Sequence, residues 1–135
     1  MLTDEIKAQL IQTAGEARKW AYAPYSNYPV GAALLTASGR IYDGVNVENA
    51  AFSVTICAER VAIFKAVSEG EREFVALAVV TANGGWSCGS CRQVLAEFGL
   101  DTAVIIADVE GKTTRETTVG ELLPRAFRSE DLERG

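Results

Sequence analysis

Histidine is absent from this 135-residue chain. Any chemistry that needs imidazole as base, metal ligand or proton shuttle is thereby excluded, Ser-His-Asp and Cys-His nucleophile sets included. Cysteine is scarce and odd in number, at three. Three thiols do not make a disulfide framework, and they fit a compartment that keeps thiols reduced. Blocks of Lys or Arg are missing too: 13 basic residues face 18 acidic ones, for a net charge of −5. Binding a phosphate backbone needs a basic surface, so no nucleic acid partner is expected and a small, roughly neutral substrate fits better. The longest apolar run, Phe74 to Val80, is far too short to cross a membrane. Met1 to Leu10 carries Asp4, Glu5 and Lys7 among its apolar residues, unlike a secretory signal. The expectation is a cytosolic protein without a membrane partner.

Apolar residues are abundant, at 48%. The length suits a single domain spanning residues 1–135, and a domain this small leaves apolar surface that association would cover. Thr3 or Asp4 can cap a helix that runs to about Ala21, with Ile6, Leu10 and Ala14 on one face. Val30 to Thr36 and Ile41 to Val47 read as strands joined through Ala37-Ser38-Gly39-Arg40. Thr55 to Ser68 has a helical pattern stopped by Gly70. Phe74 to Thr81 reads as a central strand buried on both faces. After the loop Asn83-Gly84-Gly85 come a short helix, Cys91 to Phe98, and a second buried strand, Ala103 to Ala107. An edge strand follows within Val109 to Thr117, after a turn at Glu110-Gly111, with Asp108 and Glu110 as turn residues. Val119 to Leu123 is a last helical turn, and residues 128–135 read as a loosely held charged tail. Trp20, Tyr22 and Phe64 read as packing residues. The alternation of helix and strand implies a layered α/β domain.

Chemistry concentrates in Thr55-Ile56-Cys57-Ala58-Glu59-Arg60 and in Ser87-Cys88-Gly89-Ser90-Cys91-Arg92-Gln93. Each segment sits where a helix begins, and unpaired N–H groups there favour thiolates. Cys57, Cys88 and Cys91 can close on one zinc ion and leave a fourth position for water, whose pKa zinc lowers. Glu59, two positions past Cys57, is a poor chelate partner for it and is better placed to accept a proton from that water. Three thiolates and Zn²⁺ carry a net −1, which opposes ionising the water. Arg60 can offset this by donating hydrogen bonds to the sulfurs.

Cys-Ala-Glu-Arg followed by Cys-Gly-x-Cys-Arg-Gln resembles the cytidine deaminase family, in its small, homotetrameric, all-cysteine branch. Three further blocks match in order: Ala23-Pro24-Tyr25-Ser26-Asn27-Tyr28-Pro29-Val30-Gly31-Ala32, Asn46-Val47-Glu48-Asn49-Ala50 and Leu122-Leu123-Pro124-Arg125-Ala126-Phe127. The resemblance implies a three-layer α/β/α cytidine deaminase-like sandwich around a central mixed five-stranded sheet. It implies one zinc per subunit on Cys57, Cys88 and Cys91, with Glu59 as catalytic proton shuttle and Arg60 beside the sulfurs. The backbone N–H of Ala58 would bind the pyrimidine carbonyl, Asn46 and Glu48 the ribose 3′-hydroxyl, and Tyr28 would flank the base. Phe127, supplied by a neighbour in a homotetramer, would cap the pocket. The implied reaction is hydrolysis of cytidine and 2′-deoxycytidine to uridine, 2′-deoxyuridine and ammonia. One position departs from the family pattern. Ser87 stands where proline is usual, adding an N–H and freeing φ beside the place where the amino group leaves. A roomier pocket there would accept N4-substituted cytidines, so a deaminase of modified nucleosides (N4-substituted cytidine or blasticidin S) stands as the rival.

Blander readings stand beside these. Trp86-Ser87-Cys88-Gly89-Ser90-Cys91 between a strand and a helix also suggests a thioredoxin-like redox motif, though Cys57-Ala58-Glu59 has no place in it. A purely structural zinc would want a fourth protein ligand. Glu59 could be a solvated helix residue, Asn46 and Glu48 strand-end polar groups, and Tyr28 and Phe127 core or interface residues.

Overall fold

The computed structural model describes residues 2–111 and 114–132. Helix α1 (Asp4–Ala17) starts at Thr3, whose hydroxyl accepts from the Ile6 N–H at 3.2 Å, and ends in a 3₁₀ turn, Arg18–Trp20. Then come β1 (Gly31–Thr36), β2 (Ile41–Val45), α2 (Ala58–Ser68), β3 (Phe74–Thr81), α3 (Gly89–Glu97), β4 (Ala103–Asp108), β5 (Thr114–Thr118), α4 (Val119–Leu122) and α5 (Ser129–Leu132). The five strands form one sheet in the order β2-β1-β3-β4-β5. The β3–β4 pair is parallel and the other pairs are antiparallel, so the sheet is mixed as expected.

β3 explains the layering. Its successive side chains point to opposite faces. Leu77 and Val79 join the core beneath α2 and α3, while Ala76, Ala78 and Val80 join the core beneath α1. Helices therefore cover both faces, and an almost continuous apolar strand is the pattern such burial demands. α2 lies close against β2 because Gly44 has no side chain: a Cβ there would strike the Ala58 carbonyl oxygen and come within 2.6 Å of the Ala62 nitrogen. The start of α2 is thereby seated directly on the sheet.

Several boundaries move. α2 begins at Ala58, not Thr55, and α3 at Gly89, not Cys91. Residues 46 and 47 leave β2, Val47 making an isolated bridge to Ile56. β5 starts at Thr114, after an Asx turn in which the Glu110 N–H donates to Asp108 Oδ1 at 3.0 Å. The expected tail holds the short exposed helix α5, with residues 133–135 outside the described ones. The packing reading fails for three aromatics: Trp20, Tyr22 and Phe64 are 75%, 56% and 47% exposed.

Candidate active site

Cys57 is the residue before the first turn of α2, and Cys88 holds the same position before α3. Neither helix start has a side-chain cap, so the unpaired N–H groups there are left to stabilise negative charge nearby. Cys91, on the first turn of α3, is fully buried. The Sγ atoms of Cys57 and Cys88 are 3.8 Å apart, those of Cys88 and Cys91 3.4 Å, and all three lie within 4.8 Å of one another. Sulfurs held about 2.3 Å from a tetrahedral zinc sit about 3.8 Å apart, so the cluster fits that ion. None of the three is in a disulfide. Three protein ligands leave one coordination position open, which suits catalysis better than a structural role.

The thiols are electrostatically prepared. A hydrogen bond with Cys91, and after it the Arg60 guanidinium, hold Cys57 well below the ordinary thiol range. Cys91 is pushed up, first because it shares its proton with Cys57 and then by burial. Arg60 Nη2 donates to Cys57 Sγ at 3.4 Å, and Arg60 Nε is buried with no partner among the described residues. That orphaned donor beside the sulfurs suits a site crowded with negative ligands.

Glu59 is 4% exposed on the first turn of α2 and lines the same cavity as Cys57 and Cys88. Burial pushes its carboxyl up to about 7. The reading of Glu59 as a solvated helix residue is therefore set aside. The cavity, about 260 Å³, continues from the sulfurs past Ala58 to Asn46, Glu48 and Tyr28. A roomier groove of about 500 Å³ beside α1 holds no thiol and no buried carboxylate.

The remaining site residues are more occupied than the sequence suggested. Asn46 Nδ2 donates to the Tyr28 carbonyl at 3.0 Å, and its Oδ1 accepts from the Val30 N–H at 2.9 Å. Glu48 Oε1 accepts from the N–H groups of Tyr25 and Ser26, both at 3.0 Å, and Oε2 accepts from the Ser26 hydroxyl. The Ser26 hydroxyl and N–H groups hold the Glu48 carboxyl below the usual range. Asn46 and Glu48 thus fasten the segment before β1 over the cavity and keep only their spare lone pairs and one amide proton for a ligand. Ala58 is fully buried at the first position of α2, where a helix leaves the N–H unpaired. Phe127 is 56% exposed, its carbonyl accepts from Gln93 Nε2 at 2.8 Å, and it does not line its own chain's cavity. Residues unread in the sequence also line the site. Ser26 is one; Thr81 is another, buried, with a hydroxyl that accepts from the N–H groups of Gly84 and Gly85 at 2.8 and 3.0 Å. The run Thr81-Ala82-Asn83-Gly84 carried that turn signal.

The sequence profile for the cytidine and deoxycytidylate deaminase zinc-binding region matches residues 4–107. A cytidine deaminase of Sporosarcina psychrophila is 54% identical over 127 residues, covering 92% of this chain and 93% of that protein. One of Halalkalibacterium halodurans is 50% identical over 129 residues, covering 93% and 97%. Among solved structures, cytidine deaminase from Burkholderia pseudomallei superposes with a TM-score of 0.86 at 46% identity, covering 93% of this chain and all of that one.

Proposed function

The chain belongs to the zinc-dependent cytidine deaminase family, and from that footing we propose that it hydrolyses cytidine and 2′-deoxycytidine to the uridines and ammonia. It is a hydrolase of cyclic amidine C–N bonds with a zinc site on three cysteines. The observation that carries the substrate reading is the meeting of three thiols with a buried carboxylate at one end of a nucleoside-sized cavity.

Cys57, Cys88 and Cys91 would hold the zinc, which would supply the Lewis acidity that activates water near neutral pH. Glu59 takes one proton from the attacking water and holds it on a carboxyl oxygen. It passes that proton to ring N3 and the second to the departing amino nitrogen, so water's oxygen stays on C4 and ammonia leaves. Burial raises this carboxyl from its usual value, so it holds a proton more readily than an exposed one. The Ala58 N–H binds the pyrimidine carbonyl. Asn46 and Glu48 receive the ribose 3′-hydroxyl with their spare capacity, and Tyr28 flanks the base. Arg60 offsets the negative charge of the sulfurs.

Phe127 caps the pocket of a neighbouring subunit in a homotetramer. Its exposure, with that of Trp20, Phe52 and Val54, supports association through apolar surface. Among the described residues no helix is long and apolar enough to cross a membrane.

The test is loss of ultraviolet absorbance of cytidine with zinc-loaded wild type beside zinc-loaded Glu59→Gln. Turnover by the first and none by the second supports the reading. Equal turnover by both removes Glu59 from the mechanism, and none by zinc-loaded wild type removes cytidine as substrate.

A further inference from the structure

The loop between β3 and α3 is held by more partners than a surface connection needs. Thr81 ties down the Gly84 and Gly85 N–H groups. The Tyr28 hydroxyl, from across the cavity, donates to Asn83 Oδ1 at 2.7 Å. Arg115, paired with Ile106 on the edge strand β5, donates from Nη2 to the Gly84 carbonyl. The same guanidinium lies 4.6 Å from the centre of the Trp86 ring. A cation over an indole face is an attractive, oriented contact, and the fork of the arginine lets it hold backbone and ring at once.

Trp86 and Ser87 directly precede Cys88, and both line the cavity along with Cys57 and Glu59. The carbon that reacts must sit beside Glu59 and the sulfurs. The nitrogen leaving that carbon therefore faces the stretch of chain next to Cys88. Ser87 is small and its buried hydroxyl has no partner among the described residues, so although its carbonyl accepts from Arg92 Nε at 3.0 Å, its side chain adds little to this wall. The bulk of the wall comes from the indole of Trp86, and its position from Arg115.

We propose that Trp86 is a specificity-determining residue that sorts substrates by the substituent on the departing nitrogen, and that Arg115 is the positioning residue that holds it in place. This rests on the cytidine reading above. The reaction with an N4-alkylcytidine balances as for cytidine: the C4–N bond breaks, water's oxygen bonds to C4, and its protons go to N3 and to the leaving alkylamine. Only the room beside the nitrogen differs. An extra methyl against a packed wall costs about 10- to 200-fold in kcat/KM.

The experiment compares kcat/KM for N4-methylcytidine with that for cytidine in zinc-loaded wild type, Trp86→Ala, Arg115→Met and Arg115→Lys. Trp86→Ala raises the ratio about tenfold or more. Arg115→Met raises it less, and Arg115→Lys, which keeps a charge over the ring, falls between Met and wild type. Trp86→Phe serves if the alanine variant does not fold, with a smaller rise. In a Trp20→Phe background, where Trp86 is the remaining indole, Arg115→Met shifts the emission and Arg115→Lys partly restores it. Cytidine turnover with a ratio within twofold of wild type in the Trp86 variant overturns the wall alone. An Arg115→Met protein with both ratio and emission unchanged overturns the positioning role. No cytidine turnover by wild type sinks this inference together with the reading it rests on.

Discussion

The Arg60 guanidinium donates to the sulfur of Cys57 at 3.4 Å, one helical turn beyond the residue that begins the helix. The sulfur with the lowered pKa thus has its counter-charge built into the same element.

Replacing Arg60 by Ala should therefore hurt chemistry more than folding. Removing a donor from a metal-ligating group typically costs about 10- to 100-fold in metal affinity or activity. The expected result is a kcat drop in that range with a melting temperature close to wild type. Unchanged turnover in a zinc-loaded variant would remove Arg60 from the catalytic account.

Glu48 sets part of the acid stability. Its carboxyl is held below the usual range by the Ser26 hydroxyl and by backbone N–H groups. A group whose folded pKa is lowered stabilises the fold fully above its unfolded pKa, about 4.3 for Glu, and that contribution fades as pH falls through the folded value. Thermal unfolding of Glu48→Gln from pH 7 to pH 3 should start from a lower melting temperature and fall less steeply on the acid side. Parallel curves for the two proteins would contradict this.

Gly44→Ala should damage both stability and the site, because the added methyl meets the backbone of α2 and not a side chain that can move. Overpacking of this kind costs about 1–3 kcal/mol. A shift of about 1 Å at Cys57 and Glu59 would also cost about 100-fold in rate. Melting temperature, zinc content and kcat measure the three effects together. A variant indistinguishable from wild type would mean that α2 and β2 are farther apart than described.

Phe127→Ala separates the shared-pocket reading from a monomeric one. If a neighbour's Phe127 closes the cavity, KM for cytidine should rise about tenfold while kcat changes less, as expected when binding contacts are lost. Light scattering on both proteins gives the particle size. A wild-type monomer with full activity would end the idea of a borrowed cap.

The two halves of the metal centre were legible because each is local, while their meeting is not. Cys57 and Glu59 share one helix start and Cys88 and Cys91 another, so short spacings carried most of the chemistry. β3 was legible because burial on both faces leaves an unbroken apolar run. What escaped the sequence depends on distant pairing. The contact of Arg115 with Trp86 exists only in the register that sets Arg115 opposite Ile106. The bonds of Asn46 to Tyr28 and Val30 likewise need the chain folded back on itself. Trp20, Tyr22 and Phe64 were misread because an apolar side chain in the sequence does not say what will cover it. Helix starts moved by a few residues because caps and first turns share the same residue types.

β5 has a consequence for how copies of the protein can meet. Its sequence, Thr114-Arg115-Glu116-Thr117-Thr118, contains no aliphatic residue, and Glu116 is ion-paired to Lys7 at 2.7 Å. A sheet border made this way is a poor template for another β-strand, since charged side chains and an engaged arginine stand where an incoming backbone would have to dock. Growth of the sheet into an endless ribbon is discouraged at that margin.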